Sequence, residues 1–227
     1  MQRHEPSLVN VKTASDFSSA ELDAGRRLFT REWRFLSAAS SVESLPKMNG
    51  VEIAFSGRSN VGKSSLVNAL TGRNALARMS HTPGRTQELI FFTNDAGLTL
   101  VDMPGYGYAA APKQKVKEWT DLIHAFLRGR ANLARVYVLI DGRHGLKDAD
   151  KPALDVLSES AVSHQIVLTK SDQVKAADME ARVAATKMAL AKRPAAYPEL
   201  VVTSSRDGAG IPELRAAVAR LLSERRA

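Results

Sequence analysis

Residues 57–64, Gly57-Arg58-Ser59-Asn60-Val61-Gly62-Lys63-Ser64, constrain the fold of this chain more than any other stretch. They follow a short apolar run at 51–56 and lead into an apolar stretch at 66–70. Gly-x-x-x-x-Gly-Lys-Ser between a strand and a helix is the phosphate-loop arrangement. Its glycines let the backbone turn tightly, so that successive N–H groups converge on phosphate oxygens. The helix that follows aims its positive dipole end at the same anion. The expected phosphate contacts are Gly57, Arg58, Ser59, Asn60, Val61, Gly62, Lys63, Ser64 and Ser65. Lys63 is expected to reach the β- and γ-phosphates, and the Ser64 hydroxyl to ligate Mg²⁺. The loop names a nucleoside triphosphate without naming its base.

From residue 51 the chain alternates apolar runs with amphipathic stretches. The runs lie at 51–55, 89–92, 98–101, 136–140, 165–168 and 200–202. The helical stretches lie at 63–70, 113–128, 148–160, 177–192 and 211–222. Such alternation predicts an α/β fold of the phosphate-loop class, with a mainly parallel six-stranded sheet and helices on both faces. One strand is antiparallel, because Thr93-Asn94-Asp95-Ala96-Gly97 is hairpin chemistry between the second and third runs. Residues 1–48 read as an N-terminal extension, with a short helix at 20–30 and an edge strand at 31–36. Residues 37–49 read as a linker, and 49–227 as the nucleotide-binding domain.

In such sheets ligands sit beyond the carboxyl ends of the strands. After the third run comes Asp102-Met103-Pro104-Gly105. A strand-end Asp beside a phosphate loop holds Mg²⁺ through water, and the Gly105 N–H can approach a γ-phosphate. Between the first helix and the second run lies His81-Thr82-Pro83-Gly84-Arg85-Thr86-Gln87-Glu88. Thr86, preferred over Thr82, is expected to complete the Mg²⁺ shell, with Gly84, Arg85, Gln87 and Glu88 close to the nucleotide. Segments held by γ-phosphate and Mg²⁺ act as switches, and residues 106–111 look like a second one. After the fifth run comes Thr169-Lys170-Ser171-Asp172. A carboxylate here can accept from both the ring N–H and the exocyclic amine of guanine, a donor pair adenine lacks. Lys170 can lay its stem along the base, and Thr169 can bond back to the phosphate loop. Thr203, Ser204 and Ser205 are small enough to let backbone N–H groups approach the guanine carbonyl.

Composition narrows the setting. The chain lacks cysteine, which removes disulfides, thiol nucleophiles, prenylation and palmitoylation. No apolar stretch nears the length of a membrane span, and the N-terminus lacks the apolar core of a signal peptide. A cytoplasmic monomer without a membrane anchor is expected. The formal charge of +8 favours contact with polyanions. His81, His124, His144 and His164 lack ligand-like spacing and read as surface or turn residues; Trp33 and Trp119 read as packing.

The phosphate loop, the switch threonine, D-x-x-G, T-K-x-D and the Ser-rich loop, in this order, resemble the GTPase domain of the translation-factor-related class. More closely, the chain resembles the EngB/YsxC/YihA family of ribosome-biogenesis GTPases over residues 30–222. Thr82-Pro83-Gly84-Arg85-Thr86-Gln87 and Pro104-Gly105-Tyr106-Gly107-Tyr108 carry the narrower likeness, with Asp141-Gly142-Arg143-His144. The resemblance implies binding of GTP and GDP with Mg²⁺ and hydrolysis of GTP. It also implies a role in large ribosomal subunit assembly, with rRNA and ribosomal proteins as partners, and in cell division and septation.

Phosphoryl transfer needs neutralised charge and an oriented water. Lys63, Thr86, Gly105 and Asn60 are the expected catalytic contributors. Tyr106 stands where Ras-like enzymes carry the water-orienting Gln, so slow intrinsic hydrolysis is expected. Asn60 matches the asparagine that coordinates K⁺ in related potassium-stimulated GTPases, which makes K⁺ a candidate cofactor; the alternatives are that Asn60 only stabilises the loop, and that the ribosomal partner, or Arg85 in cis, supplies the missing group. Arg78, Arg85, Lys113, Lys115 and Lys117 offer an rRNA-contact face. The competing reading is a guanine-nucleotide-dependent binding module on a protein partner, with hydrolysis incidental. An ATP-using kinase is disfavoured by Asp172.

Overall fold

The computed structural model describes residues 10–12, 16–73, 88–106 and 113–226, with the backbone alone at 10–12 and 113–116. The strands are β1 (Asn10–Lys12), β2 (Trp33–Ala39), β3 (Val51–Gly57), β4 (Leu89–Asn94), β5 (Leu98–Asp102), β6 (Leu133–Asp141), β7 (His164–Thr169) and β8 (Glu199–Val202). The helices are α1 (Ser19–Phe29), α2 (Lys63–Thr71), α3 (Lys113–Gly129), α4 (Lys151–Glu159), α5 (Ala176–Leu190) and α6 (Ile211–Glu224).

All eight strands form one sheet in the order β1-β8-β7-β6-β3-β5-β4-β2. β4 runs against both of its neighbours, β5 and β2, and every other pairing is parallel. The single antiparallel strand is therefore as expected, but the six-strand count is corrected to eight among the described residues. The two added strands come from the N-terminal segment and take the opposite edges. β2 also runs three residues past the expected end of the edge strand, into what read as linker. A register shift between Phe35 and Ser37 leaves Leu36 as a bulge, which breaks the alternation that marks a strand in sequence.

The central strands are buried on both faces, so they read as continuous apolar runs rather than alternating ones. On one face, Phe55, Tyr137 and Val167 meet Leu66 and Leu70 of α2, Leu214 and Val218 of α6, and Phe29 of α1. On the other, Ala54, Val136 and Val138 meet Phe126 of α3, Leu154 of α4 and Leu190 of α5. Trp33 belongs to the first cluster, its indole N–H donating to Phe29 O at 3.0 Å. It is a packing residue, as expected, and Trp119 packs against the second cluster. Gly25 lets α1 lie directly on α6, since a Cβ there would come within 2.5 Å of Ala216 N. Asn94 shapes the β4–β5 hairpin: its Oδ1 accepts from the N–H groups of Ala96 (3.1 Å) and Leu98 (3.2 Å).

His164 corrects the sequence reading. It is wholly buried at the start of β7, with Nδ1 donating to Val162 O at 3.1 Å. His144 is exposed and His124 half-buried; His81 lies outside the described residues.

Candidate nucleotide-binding site

β3, β5, β6, β7 and β8 run parallel, so their carboxyl ends lie along one edge of the sheet, where the phosphate loop leaves β3. The loop leaves β3 at Gly57, where a Cβ would lie 2.8 Å from Val61 Cγ1 and 3.0 Å from Leu139 O. A larger residue there would push the loop off β6. Asn60 (φ 64°) and Gly62 (φ 103°) both take left-handed conformations, which Asn and Gly adopt most readily. Together they turn the chain into α2. Lys63 opens that helix, and its ammonium bonds the Asp102 carboxylate at the end of β5. Lys63 is 8% exposed and Asp102 3%, so the pair is buried.

The D-x-x-G segment runs alongside this loop. Met103 N–H donates to Phe55 O (3.0 Å) and Tyr106 N–H to Gly57 O (3.1 Å). Arg58 and Tyr106 form a parallel bridge. Gly105 permits the approach, because a Cβ there would lie 3.1 Å from both N and Oγ of Ser59. The Tyr106 hydroxyl turns away and donates to Asp150 Oδ1 at 3.1 Å. Burial first, then the neighbouring Asp150 charge, push its pKa far above the ordinary phenol range, so it stays a neutral donor.

The β7–β8 end is a lattice of hydrogen bonds. Thr169 Oγ1 donates to Val61 O at 2.7 Å, which ties β7 to the phosphate loop as expected. Lys170 Nζ donates to Asn60 O at 2.7 Å and to Asp141 Oδ2 at 2.9 Å. Ser171 N–H donates to Thr203 O at 3.1 Å. Ser204 Oγ donates to Asp172 Oδ1 at 2.8 Å and accepts from Arg206 N–H at 3.2 Å. The Asp172 side chain is 12% exposed. One of its two oxygens is therefore oriented by a hydroxyl.

Thr82, Gly84, Arg85, Thr86 and Gln87 lie outside the described residues, as do Arg78 and the 107–112 part of the second expected switch. Glu88 directly precedes β4, Ser64 is half-buried in the first turn of α2, and Ser65 beside it is exposed. Met103 is buried and Pro104 half-buried beneath the loop; Thr203 is buried and Ser205 half-buried beside Ser204. Of the expected basic face, Lys117 alone has a described side chain, and it is exposed. Arg26 and Arg27 both pair with Asp23, and Arg31 pairs with Asp95.

Three site neighbours carried no role in the sequence reading. Asp141, paired with Arg143, holds Lys170, and Arg206 brings Nη1 to 4.0 Å from Asp172 Oδ2. Arg206 directly follows Ser205 and could have been noted as a cation beside the base loop. The Asp141–Lys170 contact spans 29 residues and has no sequence signal.

This sheet order, with a phosphate loop at its centre, defines the P-loop GTPase fold. A family model described as "50S ribosome-binding GTPase" matches residues 52–170. The "Probable GTP-binding protein EngB" of Rhodopseudomonas palustris (strain BisB5) is 70% identical over 206 residues, covering 90% of this chain and 95% of that protein. The protein of the same name from Bradyrhizobium diazoefficiens is 66% identical over 206 residues, again covering 90% and 95%. The chain belongs to the EngB family of GTP-binding proteins. Among solved structures, that of a probable GTP-binding protein EngB superposes with a TM-score of 0.59 at 24% identity, over 77% of this chain and all of that one. Era from Aquifex aeolicus, solved with GDP and aluminium fluoride, gives 0.57 at 18% identity over 77% of this chain and 57% of that one. At these identities the two structures speak for the fold.

Proposed function

We propose that this chain is a Mg²⁺-dependent GTPase switch that acts on the large ribosomal subunit or its precursor in the cytoplasm, as a monomer, and is needed for normal division and septation. The observation that carries the guanine reading is the Asp172 carboxylate, held by Ser204 in a loop tied to the phosphate loop through Thr169 and Lys170. The description of the matching family supports the ribosomal partner, and so does the +8 charge.

The donor set fits Mg²⁺. A hard cation takes oxygen ligands and keeps several waters, and the buried Asp102 carboxylate stands beside the first turn of α2, which carries Ser64. Among the described residues no group of three or more His, Cys, Asp or Glu could hold a metal by itself. Ser64, Thr86 and, through water, Asp102 would thus share the ion with phosphate oxygens. When bound, the ion neutralises charge on the β- and γ-phosphates. Lys63 and the N–H groups of residues 58–65 hold the same phosphates, and Gly105 approaches the γ-phosphate. Tyr106, committed to Asp150, does not serve as the water-orienting group, so the intrinsic rate is slow. Asn60, exposed at the apex of the loop, would hold K⁺ there. Turnover in KCl against NaCl tests this last point, and equal rates in the two salts for wild type and Asn60→Ala remove it.

Co-sedimentation with ribosomal subunits in a GTP analogue, in GDP and without nucleotide tests the whole reading. Binding to the large subunit with the analogue, weakening steeply with salt, is expected. Salt-insensitive binding would favour the protein-partner reading, and equal binding in all three states would remove the switch.

A further inference from the structure

We propose that Asp141, braced by Arg143, is a positioning residue for guanine-nucleotide binding: it holds Lys170 across the phosphate loop, so that base loop and phosphate loop act as one unit. This rests on the reading of residues 169–172 as the guanine loop.

Lys170 is an unusual place to anchor anything. It is one of three non-glycine residues with positive φ among the described residues, at 59°, a conformation that side chains bearing a Cβ disfavour. From there its stem crosses the phosphate loop, and Lys170 Cε lies 3.7 Å from where a Cβ on Gly62 would be. The ammonium then meets two acceptors, Asn60 O at 2.7 Å and Asp141 Oδ2 at 2.9 Å. An ammonium is a rotatable point donor with no preferred plane. Two acceptors at fixed places, one of them charged, give it a single location.

Asp141 is itself rigidly placed. It ends β6, paired in register with Thr169 of β7. Its Oδ1 accepts from Arg143 N–H and Nε, both at 3.0 Å, and its Oδ2 from Arg143 Nη2 at 2.7 Å. Such a forked pairing fixes the carboxylate plane. Gly142 docks the turn onto the guanine loop, donating its N–H to Thr169 O at 2.8 Å. A Cβ at Gly142 would come within 2.5 Å of that oxygen, so the docking needs glycine. Burial alone would raise the Asp141 pKa, but hydrogen bonds from Arg143 and Lys170 outweigh it and hold the carboxyl well below the usual range. It is therefore charged at neutral pH.

A merely structural ion pair is the competing account. The side chains of Lys170 and Asp141 are 20% and 16% exposed, and partly solvated pairs contribute little to stability. The two accounts therefore separate on nucleotide release and its dependence on Lys170. The experiment measures release of a fluorescent GDP analogue from wild type, Asp141→Asn, Lys170→Ala and the double variant, with thermal unfolding of each in parallel. Asp141→Asn should speed release about tenfold, with a melting temperature close to wild type. The double variant should release no faster than Lys170→Ala. Arg143→Ala provides a second route, with faster release that again vanishes in the Lys170→Ala background. Equal acceleration by Asp141→Asn with and without Lys170 would overturn the inference, as would release unchanged by both Asp141→Asn and Arg143→Ala. If Lys170→Ala itself leaves release unchanged, the guanine-loop reading falls, and the inference with it.

Discussion

The ends of β7 and β8 and the ends of β3 and β5 lie along one edge of the sheet, but they are built in different ways. At the β7–β8 end, Asp172 and Lys170 are held by Ser204, Asp141 and the Asn60 carbonyl, oriented by neighbours on other elements. At the β3–β5 end, Lys63 and Asp102, both assigned to the phosphates and metal, are bonded to each other. Tyr106 is turned to Asp150. The β7–β8 end is thus held by hydrogen bonds from the protein itself. At the phosphate end, Lys63 must divide its donors between Asp102 and the phosphates. On the function proposed above, base selection belongs to the β7–β8 end, and hydrolysis to whatever completes the β3–β5 end.

Lys63→Ala should have the largest effect. Nucleotide affinity is expected to fall about 100-fold in a fluorescence titration, as charge-assisted bonds are lost. It also leaves Asp102 buried without its partner, so stability in denaturant should drop by about 3 kcal/mol. A variant of wild-type stability would show that the phosphate end is not built on that pair. Ser204→Ala should weaken GTP and GDP alike by about fivefold, leaving turnover at saturation unchanged. A change confined to turnover would break the division between the two ends. Tyr106→Phe removes the bond to Asp150 and should cost about 1 kcal/mol of stability, with affinity and turnover nearly unaltered. A fall in turnover of about 30-fold would instead put the hydroxyl on the attacking water.

The smallest effect is one of pH. Burial holds the pKa of His164, at the start of β7, below its ordinary value. The folded protein therefore binds fewer protons at this site than the unfolded chain. The stability it contributes is complete above pH ~6.5 and declines as the pH falls through that value towards the folded pKa. Denaturant titrations between pH 5 and 8 on wild type and His164→Gln should show this slope reduced in the variant.

The parallel strands were legible because burial on both faces makes them apolar throughout, and each of the six predicted runs lies within a strand. β1 is three residues long and paired with the distant β8, so nothing local marks it. β2 was legible only as far as its bulge. The phosphate loop, Asp102 and 169–172 could be located because each is a short contiguous motif at a strand end. Apart from the bond of Thr169 to the phosphate loop, what holds them was not legible. The Asp141–Lys170 bond spans 29 residues and the Tyr106–Asp150 bond 44, and such contacts exist only once the sheet has formed. His164 was misread for the same reason: between polar Ser163 and Gln165 it gives no sign that the fold buries it against a backbone carbonyl.

The central claim is that Asp172 reads the base, and Asp172→Asn tests it most directly. Xanthine carries a carbonyl where guanine carries its exocyclic amine, so an asparagine amide can donate where the aspartate could only accept. Competition binding should show GTP weakened by about 100-fold or more and XTP preferred to GTP. A variant that keeps the wild-type preference for GTP over XTP would contradict the account.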